Sequence, residues 1–537
     1  MRSKSLLFLI SLILFVTPAV YSQPLFSTYY SPLADRTNSL PFLEIDFSSA
    51  RLQGLGYQLY PVIQDTITDL FRNPVTIYNI PDKKIYLQVE NALGRYGTSG
   101  GALYSTSQFN NILFKSNVPY LSIGFWSAKS FLFNRPIGLL VSGIKSKDLQ
   151  NYYINEPTLE LIQNYNYYEY IYEQKHERKM NGTFLKLWTG IVNKPVFSMA
   201  LSYQYAHHQF PDLSIRIQNY KREPSVLYVL ERENFDESNI PMQLDYHRIF
   251  LGIRTFYKEW KIESNLQYIR ADEESSREEK RNEFSYEYLK TDPDSNSHKS
   301  IYNSKLSNSF NPKSNIGALN ILADKNNWVI FGSVYYGKLA INEKGYNFSD
   351  RYYISNLDTS NKVLNKYASE FSDTGNLFRT KLGLGRRFKY RNLFSVYSAL
   401  IFDLTSFSLD GKIPTKDYYY EVYNPNPPAI IDTSYTTKID YSSTDYRIYL
   451  PLGWEITYKN FSLSLGITWF YNSNRYEIKN RTIDSKNIYG RKEESSDINR
   501  AEFFGLGYKY KKVEVQLATF GNVFEFNLWN VSCQYSF

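Results

Sequence analysis

The sequence predicts an all-β fold: an antiparallel up-and-down transmembrane β-barrel of about 16 strands. Three observations predict it. Amphipathic segments alternate apolar and polar residues with a period of two. They meet in pairs at very short turns, and each pair is separated from the next by a long polar connection. The chain also starts with an export signal, and no later window reaches the roughly 20 apolar residues a membrane helix needs.

The first element is residues 1–22, read as a cleaved signal peptide. Met1-Arg-Ser-Lys4 gives a basic start, Leu6 to Val16 an apolar core, and Thr17 to Ser22 the small residues of a cut site. No Cys follows the cut, so no lipid anchor is expected.

Residues 23–82 do not follow the strand rhythm and read as a periplasmic or lumen-plug segment. Within them, Asp69-Leu-Phe-Arg-Asn73-Pro74-Val75 resembles the "NPA"-type stretch near the N-terminus of FadL-like transporters of long-chain fatty acids and other hydrophobic compounds. Val75 stands where that motif has Ala, and the Gly/Ala-rich lead-in is missing. The resemblance implies a hatch inside a fourteen-stranded barrel, with Asn73 and Pro74 as its plug motif.

Residues 83–537 form the barrel. Sixteen strands are expected near 83–92, 118–127, 136–146, 180–192, 195–207, 243–256, 259–271, 315–324, 327–338, 376–388, 391–404, 444–458, 461–472, 499–510, 513–520 and 526–537. Fourteen is the alternative count, because the first strands are the least regular. Tight turns are expected at Asn193-Lys194, Tyr257-Lys-Glu259, Lys325-Asn-Asn327, Lys389-Tyr-Arg-Asn392, Lys459-Asn460 and Lys511-Lys512. Long polar loops are expected near 147–179, 208–241, 272–314, 339–375, 405–443 and 473–498. Short turns face the periplasm and long loops the exterior. Pro451 lies inside a strong strand and predicts a bulge or kink. No internal sequence repeat is apparent, which argues against a propeller.

The last strand carries its own signal. Phe537, Tyr535, Cys533, Val531 and Trp529 alternate with Ser536, Gln534, Ser532 and Asn530. The pattern resembles the C-terminal strand of Gram-negative, Bacteroidota-like outer-membrane barrels, with Trp529, Tyr535 and Phe537 as the assembly signal. The resemblance implies the outer membrane as the location, with its lipid and the barrel-assembly machinery as partners.

Composition narrows the function classes. Cys533 is the single cysteine, so an internal disulfide or a Cys-based metal site is excluded. Tyr (50) and Phe (35) are over-used, as strands and a water–lipid boundary favour. A net charge of +8 is too weak and dispersed for nucleic acid.

The inward face is expected to carry Lys186, Arg248, Arg254, Lys261, Arg379, Lys381, Arg387 and Arg447, opposed by Glu90, Glu263, Glu455, Glu502 and Glu514. Two readings stay open: a basic ladder that attracts anionic solutes, or ion pairs that hold wall and plug together. Glycines inside strands (Gly317, Gly332, Gly383, Gly385, Gly466, Gly505, Gly507) fit curvature or a lateral exit. Asp245 and His247 share a face and offer the one Asp–His pair, yet no nucleophile elbow or phosphate loop accompanies them. An enzyme is not expected, nor a cofactor or metal; a barrel-type surface hydrolase using Asp245 and His247 is the least favoured reading. The expected function is passive passage of small or hydrophobic solutes, with a hydrophobic or anionic solute as ligand. The alternative is surface binding or assembly with an outer-membrane protein partner through Tyr-rich loops, such as 418–423.

Overall fold

The computed structural model of the chain describes residues 49–80, 83–90, 120–127, 135–158, 167–209, 212–223, 228–240, 242–289, 292–311, 313–355, 359–391, 393–423, 428–482, 488–520 and 530–536. The strands are β1 (Lys84–Glu90), β2 (Tyr120–Ser127), β3 (Ile137–Thr158), β4 (Tyr167–Asn193), β5 (Phe197–Gln209), β6 (Asp212–Glu223), β7 (Tyr228–Ile240), β8 (Met242–Tyr257), β9 (Trp260–Leu289) and β10 (Asp292–Phe310). They continue as β11 (Lys313–Lys325), β12 (Trp328–Ser355), β13 (Thr359–Tyr390), β14 (Phe394–Tyr423), β15 (Ala429–Tyr458), β16 (Phe461–Thr482), β17 (Ile488–Tyr510), β18 (Val513–Phe520) and β19 (Asn530–Ser536).

All pair antiparallel in one sheet that closes on itself. Leu87 of β1 lies opposite Ile123 of β2 on one side and Cys533 of β19 on the other. Three segments prolong existing lanes instead of adding new ones. Strand β6 takes over from β5 beside β4, β7 takes over from β8 beside β9, and β10 takes over from β11 between β9 and β12. The result is a closed barrel of sixteen lanes. Closure leaves no open edge, which hydrocarbon would not tolerate.

The outward face is apolar. Ile85, Leu87, Ile123, Leu266, Leu382 and Leu450 are all exposed. A continuous exposed belt of this kind is stable in lipid and unstable in water. The inward face of the wall carries Ser142, Ser202, Gln204, Asn265, Ser333 and Ser464, all buried.

The strands run far beyond the belt. Strand β13 has 32 residues, roughly 100 Å at about 3.3 Å per residue, whereas a crossing needs about 9–11 residues. Much of what reads as polar loop, within 147–179, 208–241, 272–314, 339–375, 405–443 and 473–498, is therefore strand. Outside the membrane both faces meet water, so the alternation fades while the backbone ladder continues.

At Pro451 the expected bulge is replaced by a gap. Pairing with β14 skips Leu450 and Pro451 without changing register, and Pro451 stays opposite Thr468 on β16. Proline has no N–H to give to the ladder, and the pairing lapses there for two positions. A register shift occurs instead at Gly190–Val192, between β4 and β5.

Short turns line one rim, where Ser536 N donates to Lys512 O at 3.0 Å. Tyr535, expected as part of an assembly signal, lies there on the outward face, opposite Ile85 and Val513. Trp529 and Phe537 lie outside the described residues.

Candidate functional site

Residues 49–80 pack against the inward face of the barrel. Helix α1 (Ala50–Leu55) starts at Ser49, whose Oγ accepts from Leu52 N at 3.2 Å, and ends at Gly56 with φ 100°. Helix α2 (Thr66–Arg72) starts at Asp65, whose Oδ1 accepts from Thr68 N at 2.9 Å. Asn73 ends α2 and caps the 3-10 turn Pro74–Asn79, its side chain accepting from Val75 N at 3.2 Å. Proline suits that first position because its nitrogen has no proton to leave unsatisfied. The Asn-Pro pair is thus a helix-to-helix joint.

Apolar packing holds the segment at two places. Leu52, Leu55, Leu59, Val62 and Ile63 form one core with the inward Leu322, Val329, Phe331, Ala399, Ile401 and Tyr449. At the other place Phe71 meets Trp188 edge-on at 5.1 Å, and Trp188 meets Trp126 at 6.1 Å.

Inward glycines give the backbone room to approach. A Cβ on Gly385 would lie 2.2 Å from Val62 Cγ2, and one on Gly466 would lie 2.3 Å from Leu55 O. One on Gly252 would lie 2.0 Å from Asn73 Oδ1, and Gly453 and Gly505 face Leu59 and Gly54 in the same way. These glycines are contact sites for residues 49–80, not curvature alone. Gly383 instead seats the ring of Phe331, Gly507 meets Ser462 Oγ, and a Cβ on Gly317 or Gly332 would meet only wall atoms of neighbouring strands.

Four of the seats belong to one repeated pattern. Gly252-Ile-Arg-Thr-Phe-Tyr-Lys258, Gly385-Arg-Arg-Phe-Lys-Tyr-Arg391, Gly453-Trp-Glu-Ile-Thr-Tyr-Lys459 and Gly505-Leu-Gly-Tyr-Lys-Tyr-Lys511 share Gly first, Tyr sixth and a cation seventh. Each ends a strand that descends to the short-turn rim (β8, β13, β15, β17), so the seats stand at one height. This corrects the expectation of no internal repeat. The repeat is one strand end long, too short to resemble a blade.

The third position of three copies carries a charge that reaches the segment. Glu455 binds Arg51 twice, from Nε and Nη2, at 2.7 Å each, and accepts from Tyr397 OH at 3.2 Å. Arg387 donates from Nε to Val62 O and binds both oxygens of Asp324 at 3.0 Å. Arg254 donates to Asn79 Oδ1 at 2.8 Å and to Glu263 Oε1 at 2.9 Å. Glu263 also takes Arg72 at 3.3 Å and Lys261 at 3.3 Å. Trp188 Nε1 and Lys186 Nζ donate to the carbonyls of Leu70 and Phe71 at 3.0 and 2.9 Å, closing the C-terminal end of α2. Cations at that end also complement the helix dipole.

Burial pushes the Asp69 carboxyl up to about 6, against the pull of Arg72. Its Oδ1 lies 3.5 Å from Arg72 Nη2, and Glu263 and Asp65 raise it further.

Most of the remaining inward charges pair within the wall, and Lys381 reaches the segment. Arg379 binds Asp403 at 2.9 and 2.5 Å, Arg248 binds Gln267 at 2.8 Å, and Arg447 binds Asp445 and Asn472. Lys381 Nζ lies 5.3 Å from the centre of the Tyr60 ring, and Glu514 accepts from Gln516. Glu502 is a correction: it shares the outward face with Leu506 and binds Arg500. The inward residues of that strand are Ala501, Phe503 and Gly505, so its alternation is out of step with the reading that placed Glu502 inside. The side chain of Glu90 lies outside the described residues.

Between the segment and the wall lies a narrow recess of about 40 Å3, partly open to solvent. Tyr60, Arg72 and Asn73 line one side, and Arg248, Phe331 and Tyr335 are among the wall residues opposite.

Asp245 and His247 do not pair. Asp245 Oδ1 meets His207 Nδ1 at 2.7 Å, and His247 Nδ1 meets Tyr203 OH at 2.8 Å. They share the face of the exposed Ile249, directed away from the lumen.

No family profile matches the chain, and no curated protein matches it. Similar solved structures include the P. putida toluene transporter TodX, at 10% identity over 92% of this chain and 99% of that chain, with a TM-score of 0.33. A Pseudomonas aeruginosa FadL homologue is 11% identical over 91% of this chain and 98% of that one, TM-score 0.32. The FrpB iron transporter from Neisseria meningitidis is 7% identical over 87% and 84%, TM-score 0.23. The closed ladder and the outward apolar belt define the class: a sixteen-stranded outer-membrane β-barrel protein.

Proposed function

We propose that the protein is an outer-membrane channel for passive passage of small or hydrophobic solutes, with residues 49–80 as a plug in its lumen. The observation that carries this reading is the recess between plug and wall. Tyr60, Leu322, Phe331 and Tyr335 give it apolar surface, and Arg72, Arg248, Glu263, Asn265 and Gln267 give it polar and charged surface. A narrow path lined by both kinds of group suits a small amphipathic solute. The lumen charges act first as latches for the plug and only second as a field for anions.

The test is conductance in planar bilayers and uptake into proteoliposomes. The full chain should pass small currents. A variant lacking residues 49–80 should give larger, long-lived openings. Two latch substitutions, E455Q and E263Q, should raise conductance without removing any chain. If neither the deletion nor the latch pair raises conductance above that of the full chain, the channel reading fails.

The tall extracellular wall favours a second reading, surface binding. Lys362, Lys366 and Arg351 there lie over Tyr352, Tyr418 and Tyr302 at 4.6, 5.8 and 4.9 Å. Binding to a surface glycan or protein that survives blockage of the lumen would select it.

A further inference from the structure

The seventh position of the repeated strand-end pattern has no part in seating residues 49–80. Lys258, Arg391, Lys459 and Lys511 each open a short turn with φ of 53°, 48°, 51° and 51°. Left-handed backbone favours Gly and Asn, and the fifth such turn does have Asn326 with φ 55°. A long cation in this conformation at four turns is therefore not required by the turn.

What the four share is a ring beneath them. Their charged ends lie 5.5, 5.4, 5.3 and 5.3 Å from the ring centres of Tyr257, Tyr390, Tyr458 and Tyr510. Those rings are exposed by 62%, 41%, 61% and 52% at the end of the lipid-facing belt. Arg386 over Trp328 at 4.9 Å and Lys325 over Trp260 at 5.8 Å extend the same arrangement. Among the described residues no carboxylate pairs with any of the four turn cations. The nearby Glu259 is taken by Lys325 at 3.0 Å.

A ring at the edge of the hydrocarbon fixes the depth of the cation above it. Tyrosine sits at the headgroup boundary, with its body in the apolar zone. A cation stacked on it stands at the level of the lipid phosphates, and stacking leaves its charge intact. The β13–β14, β15–β16 and β17–β18 turns follow one another along the rim, and the β8–β9 turn lies beyond the β11–β12 turn on the same arc. The leaflet that borders this arc touches all four at once.

We propose that Lys258, Arg391, Lys459 and Lys511 form a collar that binds the phosphates of anionic phospholipids in the inner, periplasm-facing leaflet of the outer membrane. The collar sets the depth of the barrel at the short-turn rim. Each basic residue near an anionic bilayer surface strengthens attraction about fivefold, so the four together give a large preference.

The test uses the full chain and needs no prior ligand. Native mass spectrometry counts phosphatidylglycerol against phosphatidylethanolamine retained from mixed vesicles. The natural protein should prefer phosphatidylglycerol by at least tenfold. The variant K258N/R391N/K459N/K511N keeps a residue type that tolerates the left-handed turn and should lose that preference. The charge-matched extracellular variant K344N/K362N/K438N/K479N should keep it. Heat-modifiability on gels confirms that each barrel is folded. If the rim variant does not fold, the pairwise variant K459N/K511N carries the comparison, with partial loss expected. Equal retention of both lipids by the natural protein overturns the proposal. So does equal loss in the rim and extracellular variants, competition by millimolar inorganic phosphate as effective as lipid, or retention of an acidic protein in place of lipid.

Discussion

Arg51 and Glu455, 404 residues apart in sequence, meet through two parallel hydrogen bonds of 2.7 Å. The pair joins the first helix of the N-terminal segment to the inward face of β15. Both oxygens of Glu455 are used, and Tyr397 adds a third donor at 3.2 Å. A forked guanidinium–carboxylate contact is among the stronger charge-assisted bonds. Breaking a buried pair from one side leaves the other charge stranded.

Glu455→Gln should therefore loosen α1 without reshaping the wall. The full penalty for a stranded buried charge is about 3–5 kcal/mol. Arg51 keeps 23% of its side-chain surface, so some water reaches it, and about 2 kcal/mol is the expected loss of docking. Amide hydrogen exchange over residues 50–56 should accelerate by roughly thirtyfold. Unchanged protection there would remove Glu455 from the latch.

The glycine seats make a sharper steric test. Gly466→Ala drives a methyl to 2.3 Å from the Leu55 carbonyl oxygen, a backbone atom that no rotamer change can move. Overpacking of this kind costs about 1–3 kcal/mol. Gly317→Ala meets only Tyr336 O at 3.9 Å and should be silent. Limited proteolysis within residues 49–80 should speed up in the first variant alone. Equal cleavage in both would mean that the seats do not fix the segment.

The barrel was legible because lipid imposes a period of two that few other environments impose so uniformly. The same rule hid two things. Beyond the membrane the rule lapses, so strands read as loops. Where residues 49–80 press on the wall, both faces are apolar: Trp328-Val-Ile-Phe331 and Ala399-Leu-Ile-Phe402 have lost alternation. That loss marks the docking surface and was available as a signal. The shared Gly, Tyr and cation of four strand ends were also visible, but only alignment on the turns reveals them. Arg387 and Glu455 were visible as inward charges, yet what each binds depends on a segment more than 300 residues away.

Arg379 and Asp403 provide a contrast with the latches. Their bonds of 2.9 and 2.5 Å join β13 to β14. Asp403→Asn should lower the thermal stability of the barrel, with a loss on the order of 2–4 kcal/mol for a stranded buried cation. Exchange protection over residues 50–72 should stay as in the natural protein. Opening of that segment would show that wall and segment are coupled through this pair.

Asp69 sets the pH dependence of docking. Burial pushes its carboxyl up to about 6 from an ordinary 3.8, and Glu263 and Asp65 add to the rise while Arg72 and Lys261 oppose it. The docked state therefore holds the proton more tightly than the released one. Docking gains from Asp69 are fully present below about pH 4 and are lost as pH rises through about 6. At pH 7.5 the ionised carboxylate is held at a cost whose upper bound is about 3 kcal/mol. Asp69→Asn removes that cost and keeps an oxygen to accept from Asp65 N, a contact of 3.2 Å in the natural protein. Exchange over residues 65–79, corrected for the intrinsic pH effect, should be about tenfold slower in the variant at pH 7.5. At pH 4 the two proteins should match, because the natural carboxyl is then protonated as well. Taking the ratio of variant to natural protein cancels the pH effects common to both. A ratio that stays constant between pH 4 and 7.5 would show that Asp69 does not titrate with docking, and a variant less protected at pH 7.5 would show that its pairing with Arg72 outweighs burial.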